Sequence, residues 1–268
     1  MLKTRLIPCL LLMNGQLVRS ERFSLHQVVG NPIHQVERLN AWAVDELIYI
    51  DITREGAHGA VRSDQKIKGE DELLDVLHAV SRTCFVPLTF GGRIHTVEDV
   101  RARLAHGADK VTINSAAVER PEFISEAAAV AGSQAIIVSI DAKAREDGGW
   151  EVHSHNGGEP TGLDVVEWAM EAERRGAGEI FLNSIDRDGM GNGYDLALIE
   201  AVSEATRIPV IACGGVGRFK HMVDGVRAGA SAVSAANIFH FTEHSTQRAK
   251  KTLHDAGVPV RMAGVRVR

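Results

Sequence analysis

A chain of 268 residues, 44% hydrophobic and 24% charged, has the composition of an ordinary globular enzyme, which excludes a largely disordered protein. Thirty basic against 35 acidic residues leave a net charge of −5 without a basic block, so a groove for nucleic acid is not expected. No apolar run approaches the roughly 20 residues that span a bilayer, and three scattered cysteines (Cys9, Cys84, Cys213) without metal-ligand spacing point to a reduced, cytoplasmic protein lacking disulfides.

The run Leu6–Met13 has the length of a signal-peptide core, but Asn14, Gly15 and Gln16 follow it without a small-residue cleavage site, and it reads as a first strand. Seven more Ile-, Val- and Leu-rich runs follow, giving strands over 5–11, 46–52, 86–90, 110–114, 135–141, 179–184, 208–212 and 232–236. Such compact runs suit strands buried on both faces of a parallel sheet. Helix signals lie between them. Asn31-Pro32 supplies an N-cap and an N1 proline, Thr96 with Asp99 forms a capping box, Asp71 precedes Leu73, Leu77 and Val80, and Leu163 to Glu173 reads as helical. Eight β-then-α units in one chain of this length predict an α/β fold, a single (β/α)8 TIM barrel over 1–268, with a frayed tail from about 258; an open doubly wound sheet is the alternative. Three long connections, 12–30, 53–69 and 142–161, belong on the C-terminal face, where barrel chemistry occurs, and the last contains a hairpin around 150–158.

The halves repeat each other. Glu46–Asp51 answers Glu179–Ser184, Val86–Gly92 answers Ile208–Gly215, and Gly107–Val111 answers Gly229–Val233. Each half therefore brings an anion site: Gly91-Gly92 with Asn114-Ser115, and Gly214-Gly215 with Ala236-Asn237, where backbone N–H groups after a strand approach a phosphate. A ligand phosphorylated at both ends would lie across the mouth. At the opposite end Arg5, Glu46, Lys110 and Glu179 start strands one, two, four and six, and a closed barrel would gather them into a ring of alternating charge. His153 and His155 read as exposed hairpin residues, His240 and His244 lack an acidic partner, Cys9 and Cys84 read as packing residues, and no metal or other cofactor is expected.

Arg5–Leu10, Asp51-Ile52-Thr53, Gly107–Ala117, Ser139–Lys143, and Gly176–Glu179 with Asp186–Gly189 and Gly193–Leu196 together resemble the cyclase subunit (HisF family) of imidazole glycerol phosphate synthase, in order from residue 1 to about 260. The resemblance implies a HisH-like glutaminase docked at the N-terminal face, ammonia passing through the barrel gated by Arg5, Glu46, Lys110 and Glu179, and a bisphosphorylated ribonucleotide at the far mouth. There it would become imidazole glycerol phosphate and an aminoimidazole carboxamide ribotide through an aspartate pair on strands one and five. Asp141 matches the fifth-strand aspartate, whereas Leu11 occupies the first-strand position and cannot move a proton.

Other positions depart as well. Arg19 replaces a loop lysine, Arg93 stands where the family often has a third glycine, and Asn183, Cys213 and Asn237 replace small hydroxyl residues; Gly189, Asp51 and Asp188 are further mouth residues. Leu10-Leu11-Leu12 after Pro8-Cys9 resembles a paralogue linked to surface-saccharide (O-antigen, lipopolysaccharide) biosynthesis. That paralogue implies an ammonia-channelling subunit, partnered by a glutaminase and a sugar amidotransferase, in amidination of an N-acetyl sugar. The alternatives are a genuine cyclase/lyase of histidine biosynthesis and a non-catalytic scaffold that only docks a glutaminase.

Overall fold

A computed structural model describes residues 3–53 and 72–262. Among these residues twelve strands form one sheet: β1 (Arg5–Met13), β2 (Gln16–Glu21), β3 (Leu25–Gly30), β4 (Leu47–Asp51), β5 (Leu88–Gly91), β6 (Lys110–Ile113), β7 (Ile136–Ala144), β8 (Trp150–Ser154), β9 (Glu159–Asp164), β10 (Glu179–Ser184), β11 (Val210–Cys213) and β12 (Ala232–Ala235). Eight of them pair in parallel in the order β10-β11-β12-β1-β4-β5-β6-β7, and β7 pairs back to β10, so the barrel is closed. Closure removes the exposed edges that the open-sheet alternative would carry.

Two shells of apolar side chains hold it. Ile7, Cys9, Ile48, Ile137, Phe181, Ile211, Cys213 and Ala232 fill the interior, while the outward faces of the strands pack under the surrounding helices in two larger clusters. The helix starts follow the sequence signals. Asn31 accepts from the Ile33 N–H with Pro32 in the first turn, and Thr96 and Asp99 exchange both capping-box bonds.

Four boundaries differ from expectation, each for a local reason. Strands five and eleven begin after Pro87 and Pro209, which have no N–H for the ladder. β1 and β7 run beyond the barrel to Met13 and Ala144, because each continues into an antiparallel hairpin, β1–β2–β3 and β7–β8–β9. The helix expected from Leu163 starts at Val165 instead; residues 159–164 are β9, and Asp164 caps the helix by accepting from the Val166 and Glu167 N–H groups. The tail is not frayed at 258. Thr4 N–H donates to the Pro259 carbonyl at 2.7 Å, Val258 and Val260 are buried, and Arg261 pairs with Asp45 at 3.0 Å. The connection 53–69, apart from Thr53, and the helix signal at Asp71 lie outside the described residues.

Candidate functional site

The mouth of the barrel holds a cavity of about 550 Å³, and Asp141 is on its floor near the end of β7. Inward-facing positions alternate along each strand, so the register that pairs Asn183 with Asp141, and Cys213 with Asn183, brings those three side chains to one level. Asp141 is 6% exposed and accepts a 2.7 Å hydrogen bond from Asn114 Nδ2. Burial pushes its pKa up to about 7; the Asn114 bond acts against that rise and the nearby charge of Asp188 adds to it. A carboxyl titrating there can give or take a proton at neutral pH. Leu11 lines the same cavity from β1, four strands away and so diametrically across the barrel. It presents no group that could share the proton.

Asp188 also reaches the cavity, but it is tied to the β2–β3 hairpin: Ser20 Oγ donates to it at 2.7 Å and the Phe23 N–H at 3.3 Å. Burial raises its pKa against those two bonds. The hairpin therefore leans over the mouth, with its Arg22 N–H on the Asp188 carbonyl at 3.0 Å. The β8–β9 hairpin covers the other side. Its His155 N–H donates to Ser115 Oγ at 2.9 Å, and Asn156 Nδ2 reaches the Ile52 carbonyl at 3.3 Å. His153 is buried, contrary to expectation, because its ring nitrogen meets the Gly157 carbonyl at 3.0 Å inside this turn.

Gly92, Asn114 and Ser115 line one end of the large cavity. Gly189, Gly214, Gly215, Ala236 and Asn237 line a second hollow of about 300 Å³, with Arg19 at its rim over the Phe241 ring at 5.9 Å. Cys213 borders both. The glycines are required by close approach: a Cβ on Gly92 would sit 2.1 Å from the Asp51 carbonyl oxygen, and one on Gly215 would sit 2.2 Å from that of Gly193. Gly91 instead packs against the Thr112 side chain. The repeat is also offset from the simple match of Gly91-Gly92 with Gly214-Gly215. Gly92 (φ +94°) abuts the Asp51 backbone as Gly214 (φ +93°) abuts that of Ser184, which makes Gly214 the counterpart of Gly92 and Gly215 the counterpart of Arg93.

Arg93 and Asp51 form a pair that sequence reasoning left unconnected. Arg93 Nε lies 2.7 Å from Asp51 Oδ2, and Asp51 Oδ1 accepts from the Thr53 hydroxyl at 2.5 Å and from its N–H at 3.1 Å. The signal was an arginine just after a glycine pair, facing an aspartate at the end of the neighbouring strand.

At the other end the four strand-start charges do meet. Arg5 contacts Glu46 at 2.9 Å and Glu179 at 2.6 Å, and Lys110 contacts Glu179 at 2.5 Å and Glu46 at 3.3 Å, so each cation bridges both anions. Burial pushes the Glu179 carboxyl up, but Arg5 and Lys110 outweigh it and hold the group below the usual carboxylate range. Arg5 moves oppositely: burial lowers it, and the two glutamates together raise it further. Between the ring and the mouth the interior is mainly apolar, with two thiols and the buried hydroxyls of Thr89, Ser139 and Ser234 at the same registers as Ile48, Phe181 and Ile7. The Cys9 thiol, hydrogen-bonded to Cys213 and buried, is held well above its ordinary pKa, which disfavours a reactive thiolate. Among the described residues the three cysteines are free, no three His, Cys, Asp or Glu side chains gather as a metal site, and no helix is long and apolar enough to cross a membrane.

Residues 5–245 match the family model described as histidine biosynthesis protein. The chain is 46% identical over 264 residues to the imidazole glycerol phosphate synthase subunit HisF of Caulobacter vibrioides, covering 98% of this chain and 97% of that one. It is 44% identical over 261 residues to the subunit of the same name from Gluconacetobacter diazotrophicus, covering 97% of each. Likeness at that level across almost the whole length, on a closed eight-stranded parallel barrel, means that the chain belongs to the HisF family of histidine biosynthesis proteins.

Proposed function

We propose that this chain is the ammonia-accepting barrel subunit of a glutamine-dependent enzyme. A HisH-type glutaminase would dock at the N-terminal face, and ammonia would cross the barrel to a phosphorylated acceptor in the mouth. The observation that carries this reading is the arrangement along the barrel axis: a closed ring of four charges, then an interior of Ile7, Ile48, Ile137 and Phe181, then Asp141 on the floor of the cavity. Neutral ammonia crosses such an interior at small desolvation cost, whereas ammonium does not. In this structure the ring is shut, so passage requires one cation to swing aside. Lys110, a flexible stem with a single ammonium, is the member suited to that movement. Phe85 is 85% exposed in the segment before β5, at the same end as the ring, and offers an apolar anchor for the glutaminase.

At the mouth, Gly92 with Asn114 and Gly214-Gly215 with Asn237 would hold the two ends of the ligand, and Asp141 would serve as general acid and base. For the acceptor, the names of the relatives support the imidazole glycerol phosphate synthase reaction, in which a bisphosphorylated ribonucleotide and ammonia give imidazole glycerol phosphate and an aminoimidazole carboxamide ribotide. One observation favours a second acceptor. Leu11 leaves Asp141 without a carboxyl partner across the barrel, as suits ammonia delivery to another enzyme's substrate, such as an N-acetyl sugar awaiting amidination. The two relatives described above do not carry that role in their names. Expression in a strain lacking its own HisF subunit, on medium without histidine, separates the two: growth establishes the cyclase reading and removes the second. Failure to grow, with glutaminase activation and ammonia transfer intact, removes the cyclase reading.

A further inference from the structure

The two anion-binding ends of the mouth are built on one plan but are not chemically equal. In the C-terminal half the position after Gly214 is Gly215 at φ +97°, packed against the Gly193 backbone, and the residue matching Asp51 is Ser184. In the N-terminal half the same position is Arg93 at φ +51°, facing Asp51. An L-residue other than glycine is strained in the left-handed region, so an arginine there needs a compensating use of its side chain.

We propose that Arg93 is a ligand-binding side chain that makes the N-terminal-half end of the cavity selective for a doubly charged terminal group, a phosphate monoester, at the position where the other end has only the backbone of Gly215. This rests on the reading that the mouth takes a phosphorylated ligand. Three observations support it. The arginine side chain is 25% exposed and lines the cavity, whereas the Asp51 side chain behind it is 1% exposed, so the cation is the accessible member of the pair. Among the described residues the guanidinium donates no aligned hydrogen bond, and Thr112 Oγ1, buried at the same end of the cavity, has no partner. The Arg93 carbonyl accepts from Arg103 Nη2 at 3.4 Å, which helps fix the loop from behind. Asp51 holds the arm and offsets its charge; an incoming phosphate supplies the acceptor oxygens that the planar fork lacks.

The bland reading is that Arg93 exists only to neutralise Asp51. Inorganic phosphate titrated into isotope-labelled protein, followed through the amide signals of Gly92 and Asn114 at one end and of Gly214 and Asn237 at the other, separates the two. Arg93→Gly restores the residue type that the backbone prefers, so the fold is kept, and affinity at the first end should fall roughly tenfold or more with the second end unchanged. The double variant Arg93→Gly with Asp51→Ser copies the residues at the matching positions of the other half, Gly215 and Ser184, and has no uncompensated charge. Affinity that stays low in the double variant supports direct binding; recovery to the unmutated value reduces Arg93 to a counter-ion and overturns the proposal. Equal loss at both ends from Arg93→Gly overturns it as well. Phosphate binding at neither end of the unmutated protein would overturn it together with the phosphorylated-ligand reading, whereas normal binding that is indifferent to Arg93→Gly sinks this inference alone.

Discussion

The two ends of the barrel treat their polar groups differently. At the N-terminal end Arg5, Glu46, Lys110 and Glu179 pair with one another, each cation touching both anions. At the C-terminal end Asp141 has one hydrogen-bond donor, and the side-chain oxygens of Thr112, Asn114 and Asn183 are buried with no partner among the described residues. Buried polar atoms without partners are costly, so a fold keeps them where something else supplies the missing bonds. The ring is complete without a ligand. The mouth is not, which is what the proposed ligand site there requires.

The sharpest way to test this contrast is to complete the mouth. Leu11→Asp places a second carboxyl across from Asp141, and a missing proton-transfer group typically costs about 10²–10⁴ in rate. Cyclisation of the histidine-pathway nucleotide with ammonium supplied directly should rise by that order. A folded variant with no gain would mean that Asp141 is not half of an acid–base pair here.

Breaking the ring should act on stability first. Glu179→Leu leaves Arg5 and Lys110 facing each other beside Glu46 alone, and removing one partner of a buried pair costs roughly 3–5 kcal/mol. Denaturant unfolding measures this, and a loss below about 1 kcal/mol would show that water reaches the ring. Lys110→Met is milder, since Arg5 still bridges both glutamates. In the glutaminase complex its expected effect is uncoupling: more glutamate formed per acceptor amidated, with external ammonium restoring amidation. An unchanged ratio would leave the ring as a structural plug.

A third test uses pH. Asp141 has a folded pKa of about 7 against an ordinary value of 3.8, so the native state holds its proton more tightly than the unfolded chain. Stability from this group is therefore present below the unfolded value and is lost as pH rises from about 4 through 7. Asp141→Asn removes that dependence. The variant should match the unmutated protein near pH 4 and exceed it above pH 7 by at most about 4 kcal/mol. Activity should move the other way, because the amide cannot exchange the proton. Equal stability curves across the window would mean that Asp141 is solvated in solution.

The barrel was legible because its signals are local and repeated eight times. Apolar runs of strand length, the caps at Asn31, Thr96 and Asp99, and the four charges at strand starts each follow from a few neighbouring residues. The hairpin around 150–158 could be read from its turn residues, but its return strand Glu159 to Asp164 and the β2–β3 hairpin were harder to see, since Arg19 to Glu21 and Glu159 to Asp164 carry no strict alternation and form strands because they pair beside a barrel already in place. Asp141 and Leu11 could be placed by resemblance. The pairing of Arg93 with Asp51 could not: it joins residues 42 positions apart across two strands, and no local pattern records which side chains a closed barrel brings together. The buried state of His153 was hidden for a related reason, because a polar residue in a hairpin is normally exposed and only its bond to Gly157 shows otherwise.

The smallest effect is expected just outside the ring, where Asp45 pairs with two cations, one buried and one exposed. Lys250, completely buried, reaches Asp45 Oδ1 at 2.6 Å and the Ala43 carbonyl at 2.5 Å, while Arg261 reaches the same carboxylate oxygen at 3.0 Å from a side chain that is 50% exposed. Burial lowers the Lys250 pKa, the Asp45 bond working against it, so this lysine depends on its partner. Arg261 does not. An exposed pair contributes about 0–1 kcal/mol, and Asp45 keeps its buried cation when the arginine is gone. Arg261→Ala should therefore change unfolding free energy by less than about 1 kcal/mol, measured in low salt where the screening is weakest. A loss as large as that from Glu179→Leu would mean that residues 258–262 are held mainly by Arg261, rather than by Val258, Val260 and the Thr4–Pro259 hydrogen bond, and that the contrast between paired and exposed charges fails at this end of the barrel.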